Sequence, residues 1–135
     1  MAAAGGRAAL LLVLLAAVLA GSEHLVGAPE EIRDPENNKG LRQALSFAMV
    51  EYNNGNNDRF ASKVVRIISA RSQVVSGLNY IVEVEIAKTT CLKPPSDLQS
   101  CPVQPKSERT ICDFTVYVVP WENHMELMKH RCRNA

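Results

Sequence analysis

The hydrophobic pattern changes its period once along the chain, and this change limits the fold more than any other feature of the sequence. Before the change, apolar residues recur at three- and four-residue steps, at Leu41, Leu45, Ala48, Met49 and Tyr52. Such a repeat predicts one amphipathic helix. After Asp58 the apolar residues fall into β-rich runs, and no second helical period follows. We therefore expect an α+β domain in which a single helix covers one face of an antiparallel sheet.

The predicted helix has recognisable start and stop signals. Asp34 can cap the helix with its side chain, and Pro35 suits the first helical position because its missing N–H is not needed there. At the other end, Asn53, Asn54 and Gly55 predict a stop, since Asn and Gly tolerate the left-handed conformation that closes many helices.

The β-rich part of the chain divides into runs separated by turn residues. Strands are predicted at residues 63–75, 78–87, 110–119 and 125–132. The alternating pattern predicts that the apolar residues of the second and third runs each share one face: Tyr80, Val82, Val84 and Ile86, and Phe114, Val116 and Val118. Ser76-Gly77 joins the first two runs as a short hairpin, and Pro120–Asn123 turns between the last two. The segment 91–106 is rich in proline, which cannot donate hydrogen bonds within a sheet, so it is predicted to be a loop.

The first twenty residues differ from the rest of the chain. Arg7 precedes an uncharged run, Ala8 to Ala20, and small residues follow it, which is typical of a secretory signal peptide. The run is shorter than the roughly 18 apolar residues that a membrane-spanning helix needs. We expect residues 1–20 to be a signal peptide and residues 21–135 to be one secreted domain whose first part, 21–33, is a flexible arm.

The size and charge of that domain exclude several function classes. A domain of this length is too small for a two-lobed enzyme with a cleft between its lobes. The chain holds 15 Lys and Arg residues against 14 Asp and Glu residues, and Arg7 belongs to the leader, so the remaining domain is near neutral. Its charges are scattered, so neither nucleic acid nor an anionic membrane is an expected partner.

Four cysteines lie in the second half of the chain, at Cys91, Cys101, Cys112 and Cys132. An even number of cysteines in a small secreted domain predicts disulfides. Three connectivities are open, and pairing of nearest neighbours is the simplest. A metal site near His124, His130 and Cys132 is disfavoured because the close cysteine spacing of zinc sites is absent, so no metal or cofactor is expected. Paired cysteines would also leave no free thiolate for nucleophilic catalysis, which argues against an enzyme.

Apolar residues occur at two predicted turns, where polar residues are usual. Val74 and Val75 precede Ser76-Gly77, and one of the two should face solvent unless both still belong to the strand. Trp121 follows Pro120 and is either folded back onto the sheet or held out as a contact residue. A meander places alternate hairpin turns at the same end of a sheet, and the amino-terminal arm can reach that end. We call these three segments the ridge: Leu25, Val26 and Gly27; Gln73, Val74, Val75, Ser76 and Gly77; and Pro120 and Trp121. Such a ridge suits insertion into a groove on a partner protein.

These motifs together resemble the secreted, type 2 cystatins, and the resemblance covers the whole chain. The matching features are Gly27 in the arm, the Gln-x-Val-x-Gly motif at residues 73–77, and the Pro120-Trp121 pair. The spacings from Cys91 to Cys101 and from Cys112 to Cys132 match the family as well. The resemblance implies a sheet wrapped around one long helix, in agreement with the fold expected from the hydrophobic pattern.

The resemblance also implies a function: reversible, tight and non-covalent inhibition of papain-like cysteine proteases such as the cathepsins. Leu25 and Val26 would fill apolar subsites on the non-primed side, and Gly27 would let the chain turn away before the catalytic cysteine. The turn at residues 73–77 would fill the centre of the cleft, and Trp121 would cover its primed side. Ala28 stands where many members have a second glycine, which suggests a stiffer arm.

A second site is suggested by Asn57-Asp58, in the loop after the predicted helix. The pair resembles the loop by which some type 2 cystatins inhibit legumain, an asparagine-specific protease, with Asn57 as the bait. Asn56 stands where inhibitory members usually have Ser, and Asn and Asp are common in any loop, so an ordinary loop remains the alternative. The loop is expected to lie away from the ridge.

Two further alternatives concern function and assembly. The chain can instead be a secreted binding protein that has the cystatin fold and inhibits no protease. It is expected to be a monomer, but Val74 and Val75 next to a tight turn suggest a strained hinge, which is a route to a domain-swapped dimer. In such a dimer the central turn of the ridge would be buried, and inhibition would be lost.

Overall fold

The computed structural model describes residues 26–135, so the predicted signal peptide and Leu25 lie outside the described residues. In this part of the chain, one α-helix and five strands form the fold: β1 Glu30–Glu31, α1 Lys39–Asn54, β2 Phe60–Val74, β3 Leu78–Leu92, β4 Thr110–Val119 and β5 His124–Asn134. The strands lie in the sheet in their sequence order, and each pair is antiparallel. The predicted α+β class, with one helix on an antiparallel meander, is confirmed.

The helix begins later than predicted, because a different residue caps it. Asn38 is the cap, and its side-chain oxygen accepts the N–H of Leu41 at 2.9 Å. Asp34 has a left-handed φ of 52° and gives no cap; its carboxylate accepts the side-chain N–H of Asn37 at 2.7 Å. Pro35 starts a three-residue 3-10 turn and not the α-helix. The Asp-Pro signal thus marks a 3-10 turn, and the α-helix starts after Asn38.

The helix ends where predicted, at Asn54, but the predicted left-handed closure is wrong. Gly55 has a φ of −88° and donates its N–H to the carbonyls of Glu51 and Tyr52. The Asn56 side chain also donates to the Tyr52 carbonyl, at 2.8 Å. Because the Gly55 N–H and the Asn56 side chain satisfy these carbonyls at the end of the helix, no left-handed residue is needed to do so.

The core lies between α1 and one face of the sheet. The helix contributes its predicted apolar stripe, and the sheet contributes the predicted inward residues of β3 and β4; the buried members are Leu41, Ala44, Leu45, Ala48, Met49, Tyr80, Val82, Val84, Ile86, Phe114, Val116 and Val118. The ring of Tyr52 meets Phe114 edge-on, with centroids 6.4 Å apart. Tyr80 packs against the start of the helix at Gly40, and burial raises the pKa of its phenol.

The first hairpin is longer than predicted at its open end. β2 begins at Phe60 and β3 continues to Leu92, so residues 91–92 of the predicted loop belong to a strand. The extension depends on Thr89, which is fully buried and donates its hydroxyl to the Ala61 carbonyl at 2.7 Å. A threonine whose hydroxyl is satisfied inside the sheet continues the strand where the alternating apolar pattern has ended.

Both disulfides join nearest neighbours, which is the simplest of the three connectivities. Cys91–Cys101 attaches the proline-rich loop to the end of β3, and Cys112–Cys132 crosses between β4 and β5. All four cysteines of the chain are paired. In the chain-entropy model, loops of this size each add about 3 kcal/mol of stability.

The amino-terminal segment is tied to the sheet over part of its length. β1 pairs with Arg71 and Ser72 of β2, and the Ile32 N–H donates to the Ala70 carbonyl at 2.9 Å. No regular structure was expected between residues 22 and 33, so this short strand is a correction. Its physical cause is the open edge of β2, which offers unpaired backbone groups that no local sequence pattern reveals.

Candidate functional site

Two hairpin loops of the ridge lie side by side at one end of the sheet. The first, residues 75–77, joins β2 to β3, and the second, residues 120–123, joins β4 to β5. The register between β3 and β4 pairs Leu78 with Val118, which places the residue after the first loop beside one just before the second. The structure therefore brings together the two turns that the sequence placed on one edge.

Gly27, in the amino-terminal part of the ridge, lies against the first hairpin. The Gly27 N–H donates to the Val74 carbonyl at 3.1 Å, and the Gln73 side chain donates to the Gly27 carbonyl at 3.0 Å. Gln73 thus connects the arm to the hairpin. A Cβ on Gly27 would lie 3.4 Å from the nearest atom, and no described glycine has a positive φ. The free fold does not require glycine at this position.

The ridge exposes large apolar side chains to solvent. Trp121 is 72% exposed, Val74 62% and Val26 58%, while Val75 is partly buried and Ser76 exposed. None of the ridge residues is charged. Contiguous exposed apolar surface marks interaction sites, and tryptophan is strongly enriched among residues that dominate binding energy.

The geometry of the second loop holds the indole outward. Pro120–Glu122 forms a 3-10 turn, and Asn123 closes it with a φ of 49° and an N–H that donates to the Pro120 carbonyl at 3.3 Å. Asparagine accepts this left-handed conformation more readily than most residues. The sequence left open whether Trp121 folds back onto the sheet, and the structure has it extended from the edge.

Gly77 is required by close packing. It is buried, and a Cβ at this position would lie 2.6 Å from the Val118 carbonyl oxygen and 3.1 Å from Cε1 of Tyr117. The Val75 N–H donates to the Gly77 carbonyl at 3.0 Å and closes the loop. The first loop therefore sits directly on the end of β4, which only a residue without a side chain permits.

Gly77→Ala is expected to lower the free energy of unfolding by about 1–3 kcal/mol, because the new methyl group meets backbone that cannot move freely. Urea denaturation of the two proteins measures the difference. Gly27→Ala is the matched control for stability, since its Cβ meets no atom closer than 3.4 Å. Equal losses in the two variants would show that the close packing at Gly77 is not the cause.

One ridge contact comes from a residue that the sequence did not single out. The Tyr117 hydroxyl donates to the Ser76 carbonyl at 3.1 Å and lies 3.3 Å from the Ser76 hydroxyl. Tyr117 alternates in β4 with the buried Val116 and Val118. The sequence signal for this contact was an aromatic residue at an outward-facing strand position, close to a loop.

The Asn57 loop lies at the opposite end of β2 from the ridge. Asn57 is exposed, and hydrogen bonds fix both of its neighbours, Asn56 and Asp58. The Asn56 side chain accepts the N–H of Asp58 at 3.0 Å. The Lys93 ammonium group donates to the Asn56 side-chain oxygen and to the Asn53 carbonyl, each at 2.7 Å. Asn56, which departs from the family pattern, is thus the central contact of this loop.

Asp58 fixes the other side of the loop. Its carboxylate accepts the Phe60 N–H at 2.9 Å and pairs with the Lys88 ammonium at 2.5 Å. The hydrogen bond from Lys88 is the main cause that lowers the pKa of Asp58 below its usual 3.8, and the Phe60 N–H adds to it. The stabilisation from this carboxylate is complete above pH 3.8 and is lost as the pH falls through the lowered pKa.

Nearby, burial raises the pKa of Tyr52, and the Asp58 charge adds to that shift.

One concave surface lies away from the ridge. A depression of about 610 Å³ is lined largely by polar side chains, among them Asn56, Asp58, Lys88 and Gln104, and by no ridge residue. Within residues 26–135, no three His, Cys, Asp or Glu side chains are grouped so that they could hold a metal ion. The same part of the chain has no helix with the length and apolar content for a membrane crossing.

Comparisons with known proteins agree on one family. The chain matches the cystatin domain over residues 27–121. It is 51% identical to the cystatin of Coturnix japonica over 116 residues, covering 84% of this chain and 98% of that protein. The cystatin of Gallus gallus is 48% identical over 142 aligned positions, covering 98% of this chain and all of that protein. The solved structure of dimeric human cystatin F has a TM-score of 0.73 and 37% identity, covering 81% of this chain and 88% of that chain.

Proposed function

Because the chain belongs to the cystatin family of cysteine protease inhibitors, we propose that it inhibits papain-like proteases, such as the cathepsins, by inserting the ridge into their active-site cleft. The observation that carries the proposal is the edge itself, where Val26, Val74 and Trp121 are exposed on three connected segments. The family membership makes the chain an inhibitor and not an enzyme.

The hydrogen bonds within the ridge explain how a small domain can bind tightly. Gln73 links the arm to the first loop, Tyr117 links the first loop to β4, and Asn123 closes the second loop. Segments that are ordered before binding lose little conformational entropy when they dock. Burial of the exposed apolar groups then supplies the favourable free energy, at about 25 cal/mol per Å² of apolar surface.

The inhibition assay that tests this function uses the refolded protein without residues 1–20. We expect it to inhibit papain and cathepsin L reversibly at submicromolar concentration and to leave trypsin, a serine protease, fully active. Intact inhibitor should be recovered from the complex, as measured by mass spectrometry, since binding is non-covalent. Unchanged papain and cathepsin L activity at micromolar inhibitor would favour the alternative, a cystatin-fold binding protein without protease inhibition.

The Asn57 loop supports a second activity, inhibition of legumain with Asn57 as the bait residue. The specific observation is the exposed asparagine between two fixed neighbours, Asn56 and Asp58. An exposed side chain on a loop with fixed neighbours suits a protease that recognises one residue of its substrate. The separation of this loop from the ridge by the length of β2 leaves room for both enzymes at once.

The proposal also includes that the protein is secreted and that it acts as a monomer. Two disulfides and the apolar leader are typical of a secreted domain. The chain acts as a monomer, and a domain-swapped dimer formed by opening the hairpin at Val74 and Val75 is its inactive form. Human cystatin F, a structural relative, was solved as a dimer. Dimer separated by size exclusion should lack papain inhibition, whereas equal inhibition by dimer and monomer would contradict the swap at this hinge.

A further inference from the structure

The side chain of Tyr117 lies between the two hairpin loops of the ridge. Its hydroxyl donates to the Ser76 carbonyl at 3.1 Å, at the tip of the first loop. Its ring also lies under the backbone of Gly77, where a Cβ would come within 3.1 Å of Cε1. Both contacts fall on the first loop, at Ser76 and Gly77.

The Tyr117 ring also contacts the residue that directly follows the second loop. The His124 ring meets it edge-on, with centroids 6.2 Å apart and an angle of 70° between the planes. His124 is the first residue of β5 and follows Asn123, which closes the second loop. The His124 side chain is also 3.4 Å from the Glu126 carboxylate. One tyrosine thus contacts the first loop and the residue that directly follows the second.

We propose that Tyr117 is a positioning residue for protease binding, because it holds the tip of the first loop in its binding conformation and fixes that loop relative to Trp121. This inference rests on the proposed insertion of the ridge into a protease cleft. The backbone bond from Val75 to Gly77 closes the loop over only three residues. The Tyr117 hydroxyl adds a bond from the loop tip to the sheet, and this bond acts before any protease is present.

The physical consequence is preorganisation of the first loop. Without the hydroxyl, the Ser76 carbonyl is released to water, and the exposed loop samples more conformations. Docking must then order the loop, and this cost appears as lower affinity. Since one neutral hydrogen bond is involved, we expect an affinity loss of about 3- to 10-fold.

Tyr117→Phe tests the inference, with Tyr52→Phe as the matched control. Both variants lose one phenol hydroxyl, but Tyr52 lies near the carboxyl end of the helix, away from the ridge. In the free inhibitor, Tyr117→Phe should speed amide hydrogen exchange of Val75, while the amide of Val84 in the core of β3 stays protected. Against papain, its inhibition constant should rise about 3- to 10-fold, and that of Tyr52→Phe should match the parent.

The outcomes distinguish the positioning role of Tyr117 from the ridge proposal. Unchanged exchange at Val75, or faster exchange with an unchanged inhibition constant, overturns the positioning role of Tyr117. Faster exchange at both Val75 and Val84 also overturns it, because the variant would then act through global stability. If the parent protein does not inhibit papain while exchange at Val75 alone becomes faster, the ridge proposal fails and the loop-ordering role of Tyr117 stands.

Discussion

Replacing Trp121 by alanine is expected to weaken papain binding about 30- to 700-fold, the equivalent of roughly 2–4 kcal/mol. The indole is 72% exposed in the free inhibitor, so its removal takes away contact surface without opening the core. The 3-10 turn at Pro120–Glu122 holds the side chain outward, so little ordering is needed on binding. Inhibition constants of the two proteins, measured with one fluorogenic substrate, give the ratio.

Met128→Ala is the control for Trp121→Ala. Met128 is also apolar and 57% exposed, but it lies within β5 and outside the ridge. We expect this variant to inhibit papain as well as the parent does. If Trp121→Ala also inhibited like the parent, the second loop would not belong to the binding surface, even with the inhibitor class correct.

Replacing Asn57 by alanine is expected to reduce legumain inhibition about 1,000-fold or more, because a protease subsite built to hydrogen-bond an amide rejects a side chain that lacks one. Asn57 makes no side-chain hydrogen bond among those of the described residues, so the fold loses nothing with it. Papain inhibition by the same variant should stay at the parent level, since the loop and the ridge lie at opposite ends of β2.

Asn54→Ala is the control for the second site. It removes an exposed asparagine three positions earlier, at the end of the helix, and should inhibit legumain like the parent. Joint loss of legumain and papain inhibition in Asn57→Ala would indicate misfolding, which circular dichroism can detect. Undiminished legumain inhibition by Asn57→Ala would show that this asparagine is an ordinary loop residue.

Features that depend on the period of apolar residues were predictable from the sequence. The helix, the inward face of β3 and the bounds of β4 follow from alternation and three- to four-residue repeats, because burial of side chains selects those patterns. The nearest-neighbour disulfides were the simplest of the open pairings. Long-range pairing was harder to predict, and β1 depends on a free strand edge that its own two glutamates do not reveal.

The sequence did not reveal the places where a side chain, in place of a backbone group, makes the hydrogen bond to a helix end. Asn38 caps the start of the helix in place of Asp34. At the other end, Asn56 and Lys93 donate to helix carbonyls, so no left-handed residue is needed. In the ridge, the motif predicted which residues come together, whereas the reason for its glycine appeared only in the approach of Gly77 to Val118. Such contacts depend on distances between segments, which a linear pattern does not contain.

The central claim is that the ridge is the surface that meets the protease. Amide hydrogen exchange of the inhibitor, measured free and in complex with papain, tests it most directly. We predict that new protection falls on residues 26–27, 74–77 and 120–123, with no change at the Asn57 loop. Protection on the helix or on the Asn57 loop, with those three segments unchanged, would contradict the account.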